Sequence, residues 1–199
     1  MNHLLQKEVE VFSHQTSKEG KAQCGDSYYF TATDEYFLCV LADGLGSGKY
    51  ANEASSAVAE VVEENKDEDV ETLMKLCNKV LLHKRGAAVA IVKAYFKTKD
   101  FVYSCVGNIR FYLYSPTGKL TYPLPVTGYL SGRPQLFNTH RYPFEEGARF
   151  LIHSDGLRIS STKSLLKDSF SLEYIAQELE RSYSNTDDDL TFIVGSLLS

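Results

Sequence analysis

An α+β layered domain is the fold this sequence predicts, and three observations carry the prediction. Short runs rich in aromatic and β-branched residues occur in groups. A few segments with a three- to four-residue apolar period stand apart from them. No repeat, linker or low-complexity tract divides the 199 residues. With 43% hydrophobic residues the chain can build a substantial core, and we expect one domain over residues 1–199.

Taken in order, "VEVFSHQT" and "DSYYFTAT" read as strands. "EYFLCVLAD" is short, continuous and apolar, which suits a strand buried on both faces and ending at Asp43. Beyond it Ala51, Ala54, Ala57, Val58 and Val61 recur at helical spacing and predict a helix from Tyr50 to Glu64. Val70, Leu73, Met74, Cys77, Val80 and Leu81 share one face of a second helix, whose first turn carries acids that favour the dipole. From Gly86, "AAVAIVKAYFKT", "DFVYSCVG" and "RFYLYSPTGKLTYPL" read as an antiparallel meander, with turn chemistry at Lys99-Asp100 and Pro116-Thr117-Gly118. "PLPVTGYLSGRPQLF", rich in proline and glycine, reads as a structured loop. "ARFLIHSDG" is a further strand ending in Asp-Gly, a helix follows over Ser171–Tyr183, and the acids of "TDDDLTFIVGSLL" lead into a last strand.

The net charge of -5 argues against a nucleic-acid backbone or an anionic membrane as the main partner, leaving proteins or small molecules. No apolar run is long enough to cross a bilayer, and "MNHLLQKEVEVFSHQ" lacks the pattern of a secretion signal, so a cytoplasmic location is expected. The four cysteines are widely spaced without a C-x-x-C pair, which points to reduced thiols. "GLGSGK" invites a phosphate-loop reading, but that motif requires Gly where Asp43 stands and Ser or Thr where Tyr50 stands.

The carboxylates are more informative. Asp26, Asp43, Asp155 and Asp188 each sit at a strand end beside glycine or further acids. One such acid is ordinarily a turn or cap residue. Four in matching contexts can converge on one edge of the sheets, where hard divalent cations, Mg2+ or Mn2+, are their natural partners.

These residues resemble a known family. The ordered series "EGKAQCGDSYYF…VLADGLGSGKYANEAS…GNIRFYL…LPVTGYLSGRP…IHSDGL…DDLTFIV" resembles the type 2C, metal-dependent (PPM) serine/threonine protein phosphatases, in particular the small bacterial branch of sporulation and sigma-factor regulators. The resemblance implies an α-β-β-α sandwich of two antiparallel sheets flanked by helices. It also implies two bound Mn2+ or Mg2+ ions that activate water for phosphoester hydrolysis. Asp26, Asp43, the Gly44 carbonyl, Asp155 and Asp188 are the implied ligands, with Asp43 and Asp155 at the catalytic centre. The implied partners are phosphorylated regulatory proteins of stressosome-type scaffolds, and the implied role is negative feedback on stress signalling; a monomer is the expectation for so compact a catalytic domain.

The sequence also departs from the family's pattern. Lys21 stands where larger members carry a phosphate-gripping Arg, and a lysine offers a point charge without a bidentate fork. Leu45 occupies the place of a histidine proposed to protonate the leaving group, and Gly25 that of an outer acid. Gly107-Asn108 with Arg110 resembles the family's G-x-x-R segment, an architectural element. His153, on an apolar strand, reads as a packed histidine. "HKRG", residues 83–86, reads as a solvated helix end, or as a basic patch for an acidic partner or phosphopeptide. A phosphoprotein-binding module of the same fold without turnover is the alternative reading; loss of a ligand would favour it, and none is lost.

Overall fold

A computed structural model describes residues 1–167, 170–182 and 187–198. The chain opens with β1 (Asn2–Gln6), β2 (Val9–Thr16), β3 (Asp26–Ala32) and β4 (Tyr36–Gly44), followed by helices α1 (Lys49–Glu64) and α2 (Val70–Val80). Next come β5 (Ala87–Tyr95), β6 (Asp100–Val106), β7 (Arg110–Tyr114), β8 (Leu120–Thr121), β9 (His140–Pro143) and β10 (Arg149–His153). Two helices, α3 (Thr162–Leu165) and α4 (Leu172–Ser182), precede β11 (Leu190–Leu197). Among the described residues the strands form two antiparallel sheets, ordered β1-β2-β11-β10-β7-β8 and β3-β4-β5-β6-β9.

Side-chain alternation explains the layering. In β4, Phe37, Cys39 and Leu41 point into the space between the sheets, where Phe101, Tyr103, Phe111 and Phe150 also pack. Leu38, Val40 and Ala42 point the other way, onto Ala54, Val58, Leu73 and Met74 of α1 and α2. Both faces of β4 are therefore buried, and its sequence shows an unbroken apolar run. On the second sheet, Phe192 and Val194 of β11 meet Ile175 and Leu179 of α4. The result is the helix-sheet-sheet-helix sandwich.

Lys93 occupies a helix-facing position of β5 and is buried. Its Nζ donates to the carbonyls of Lys66 and Glu68 at 2.9 and 2.8 Å and lies 4.1 Å from the Tyr36 ring centroid. The ammonium thus ties the α1–α2 connection to the sheet, and Asp69 caps α2 by accepting the Thr72 amide at 2.8 Å. All four cysteines are buried and unbridged.

One expectation is corrected. The segments after Gly86 do not form one meander: β5 and β6 pair, but β7 joins β10 in the other sheet. The chain crosses between layers at Gly107, whose φ of +122° is open to glycine, so the turn leaves the sheet instead of closing a hairpin. The edge strands β1 and β9 were not legible, because their largely exposed residues carry no alternating apolar signal. The helix expected over Ser171–Tyr183 is seen as α4, with Tyr183 outside the described residues. No helix among the described residues is long and apolar enough to cross a membrane.

Candidate metal centre

The inward-facing rows of four strands end in polar residues at one edge of the sandwich. After Phe37, Cys39 and Leu41, the next inward position of β4 is Asp43. It lies directly opposite Asp26, the first residue of β3 and the start of the inward row continued by Tyr28 and Phe30. From the facing sheet, Ile193 and Thr191 of β11 lead back to Asp189, and Ile152 of β10 leads on to Ser154. The Ser154 hydroxyl donates to Asp26 Oδ2 at 2.7 Å and so joins the two sheets. Asp155 and Asp188 follow in the adjoining loops and act on Asp43 through space.

The two Asp-Gly pairs owe their glycines to backbone crowding. A Cβ at Gly44 would strike the Ala51 carbonyl of α1, and one at Gly156 would strike the Asp189 carbonyl. Each glycine lets another segment pass close beside an acidic residue, which is a physical reason for the pairing that a turn signal alone does not supply.

Burial sets the electrostatics. Asp26 is 1% exposed, and burial pushes its carboxyl from 3.8 to about 7; the hydrogen bonds from Ser154 and Thr191 work against this, while Asp189 and Asp155 add to it. Asp43 is pushed to about 8, first by burial and then by the charges of Asp26, Asp155, Asp188 and Asp189. Asp155 is also raised, by burial and by Asp188, although the Asn108 amide donates to its Oδ2 at 2.7 Å and favours the ionised form. His153 is neutral: burial lowers it to about 4, and its Nδ1 lies 2.7 Å from the Ser154 carbonyl oxygen.

The residues present fit a hard divalent cation. Asp26 Oδ1 and Asp189 Oδ2 are buried side-chain oxygens without a hydrogen-bond partner, which cost several kcal/mol each unless a cation or water meets them. The donors are oxygens, as Mg2+ and Mn2+ prefer. Among the described residues no three His, Cys, Asp or Glu side chains close on a single point, so the acids converge on this edge without forming a finished cage.

All four predicted acids and Gly44 lie at this edge. Lys21 does not join them by any ion pair among the described residues: it is exposed on the β2–β3 loop, where its amide donates to the Lys18 carbonyl. Sequence reasoning missed three participants. Ser154 and Asn108 hold Asp26 and Asp155, so the Gly107-Asn108 segment has a part beyond architecture. Asp189 accepts the Lys18 amide at 2.9 Å, and its Oδ2 lies 2.6 Å from where a Gly25 Cβ would sit. The carboxylate just before the C-terminal strand thus takes up the room that a side chain at position 25 would fill. Counting back by twos from Ile193 would have found it.

The chain is similar to several known proteins. The family described as Stage II sporulation protein E (SpoIIE) matches residues 33–197. The chain is 45% identical over 189 residues to the phosphoserine phosphatase RsbX of Bacillus subtilis (strain 168), covering 95% of each. A crystal structure of RsbX in complex with magnesium superposes with a TM-score of 0.94 at 43% identity over 98% of both chains. A chain from structural work on the bacterial stressosome as a modular system controlling secondary messenger signalling gives a TM-score of 0.85 at 25% identity, covering 95% of this chain and all of that one.

The raised acids set a pH dependence for the metal-free protein. The unfolded chain gives up these protons near 3.8, while the folded chain keeps them to about 7 at Asp26 and about 8 at Asp43. Across that window the native state binds more protons than the unfolded state, so stability falls as pH rises. In EDTA the melting temperature should decline from about pH 5 to about pH 8, and Asp43→Asn should flatten the decline. A flat wild-type profile in calorimetry would contradict the coupling of these acids.

Proposed function

Since the chain belongs to the SpoIIE family of type 2C, metal-dependent phosphatases, we propose that it hydrolyses phosphoserine and phosphothreonine in regulatory proteins with two divalent cations. Asp26, Asp43, the Gly44 carbonyl, Asp155 and Asp188 are the proposed ligands, and Mn2+ or Mg2+ the proposed ions. The observation that carries the reading is the convergence of Asp26, Asp43 and Asp189 at one edge with buried, unpartnered oxygens. When bound, the cations supply positive charge that acidifies a water and neutralises the phosphoryl oxygens.

The chain's own residues do the remaining work. Ser154 occupies Asp26 Oδ2 and leaves the buried Oδ1 without a hydrogen-bond partner. The Lys18 amide does the same for Asp189, holding Oδ1 and leaving Oδ2 unpaired. Asn108 fixes the Asp155 carboxylate. Lys21, exposed on the β2–β3 loop, is a candidate point charge for the substrate phosphate. Leu45 brings no proton to the leaving group, which leaves that step to water or to another residue.

We take residues 1–199 as one such domain, a reading supported by the pairing of β2 near the start with β11 at the end. The proposed setting is cytoplasmic, the proposed acting unit a monomer, and the proposed substrates are stressosome-type phosphoproteins whose dephosphorylation feeds back negatively on stress signalling. RsbX, so similar over nearly the whole chain, carries the name of a phosphoserine phosphatase and has been solved with magnesium.

Metal-stripped protein given back Mn2+ should release phosphate from a phosphoserine protein, and Asp43→Asn should bring that release to background; turnover that survives the substitution, or needs no metal, would overturn the assignment. Asn108→Ala should lower metal affinity or activity by about 10- to 100-fold, the usual effect of losing a partner that orients a ligand. An unchanged Mn2+ titration would mean that Asn108 does not orient Asp155.

A further inference from the structure

Beside the candidate metal centre lies a basic cavity that the proposed chemistry does not use. It measures about 390 Å3 and is lined by His83, Lys84, Arg85, Tyr129, Ser131 and Arg133 together with Leu82. The "HKRG" stretch after α2 supplies one wall, and the loop before β9 supplies the other. None of its lining residues is acidic, in a chain whose net charge is -5. Lys84, Arg85 and Arg133 enter no ion pair among the described residues, whereas Lys49, Lys75, Lys99 and Arg141 each have a carboxylate within 4 Å.

The cavity is built on fixed parts. The Asn78 side chain of α2 accepts the Ser131 and Gly132 amides at 3.1 and 3.0 Å and donates to the Arg133 carbonyl at 2.9 Å. Leu130, fully buried, exchanges backbone hydrogen bonds with Ala87 at the start of β5. The loop carrying Tyr129 and Arg133 is therefore fastened to the same strand end that pairs with Gly44. The cavity also borders the loop that follows Gly44. The Leu45 amide donates to the Gly86 carbonyl at 3.0 Å, and a Cβ at Gly46 would fall 2.6 Å from Arg85 Nη1. Arg85 thus lies two residues beyond Gly44, with its guanidinium 5.3 Å from the Tyr50 ring centroid.

We infer that this cavity docks the acidic stretch of polypeptide that flanks the phosphoserine of a protein substrate. The inference rests on the phosphatase reading for its substrate, but not for its binding chemistry. Unpaired cations without competing acids suit carboxylates, and the exposed Tyr129, Tyr50 and Leu82 around them suit a peptide rather than a free anion. Docking here would also offset the missing bidentate grip at position 21, because the segment beside the phosphate would be held by Arg85 and Arg133.

The test compares two labelled phosphoserine peptides, one flanked by Asp and Glu and one by Ala and Gln, by fluorescence anisotropy in EDTA at low salt. Wild type should bind the acidic peptide about tenfold more tightly, the size that a few partly exposed charge pairs supply. Added salt should shrink the difference. The double variant Lys84→Glu, Arg133→Glu, both exposed positions, should lose the preference; should it not fold, Arg133→Ala is expected to lose about threefold. Equal binding of both peptides by wild type, or a preference retained in the variants, would overturn the docking pocket. Turnover of the neutral-flanked peptide with Mn2+ reads out the phosphatase assignment separately. Preference without turnover would sink that assignment and leave the pocket standing, and turnover without preference would do the reverse.

Discussion

Mutual repulsion among carboxylates in a seam between two sheets is the constraint on which the rest of this structure depends. Asp26 and Asp43 face each other on neighbouring strands, and like charges directly opposite are unfavourable in any antiparallel pair. Here they are also removed from water and approached by Asp155, Asp188 and Asp189. No local preference of the chain gathers these acids. The surrounding core does so, because Asp26, Asp43 and Asp189 each end an inward row of packed side chains, and Asp155 and Asp188 follow in the adjoining loops.

That arrangement explains why the site belongs to the whole fold. The acids come from residues 26 to 189, and the hydrogen bond between Ser154 and Asp26 closes a sequence gap of 128 residues. Only when β10 and β11 lie across from β3 and β4 do the inward rows end together. The stability supplied by the aromatic cluster of Phe37, Phe101, Phe111 and Phe150 offsets the repulsion at the edge. Such a balance between a packed core and a strained functional edge is common where activity needs charges that folding alone would disperse.

Much of this was legible in the sequence, for identifiable reasons. The unbroken run from Tyr36 to Ala42 announced a doubly buried strand, and the stripe Val70, Leu73, Met74 and Cys77 announced α2, because burial imposes period on side chains. The four strand-end acids were legible because their contexts repeat. What stayed hidden depends on contacts distant in sequence. Nothing local shows that β7 leaves its neighbour for the other sheet or that Asn108 reaches Asp155, and the period of β11 marks Asp189 as inward-facing without showing that it packs against Gly25. β1 and β9, held by backbone pairing at sheet edges, leave little trace in side-chain pattern.

The central claim is that the charge gathered at this edge is completed by divalent cations in exchange for protons. Calorimetric titration of Mn2+ into the metal-stripped protein near neutral pH, in buffers of different ionisation enthalpy, measures both quantities at once. The account predicts two ions per chain and a net release of about one proton or more, because Asp26 and Asp43 hold protons up to about 7 and 8 until a cation displaces them. Binding without proton release, or no binding at all, would contradict it.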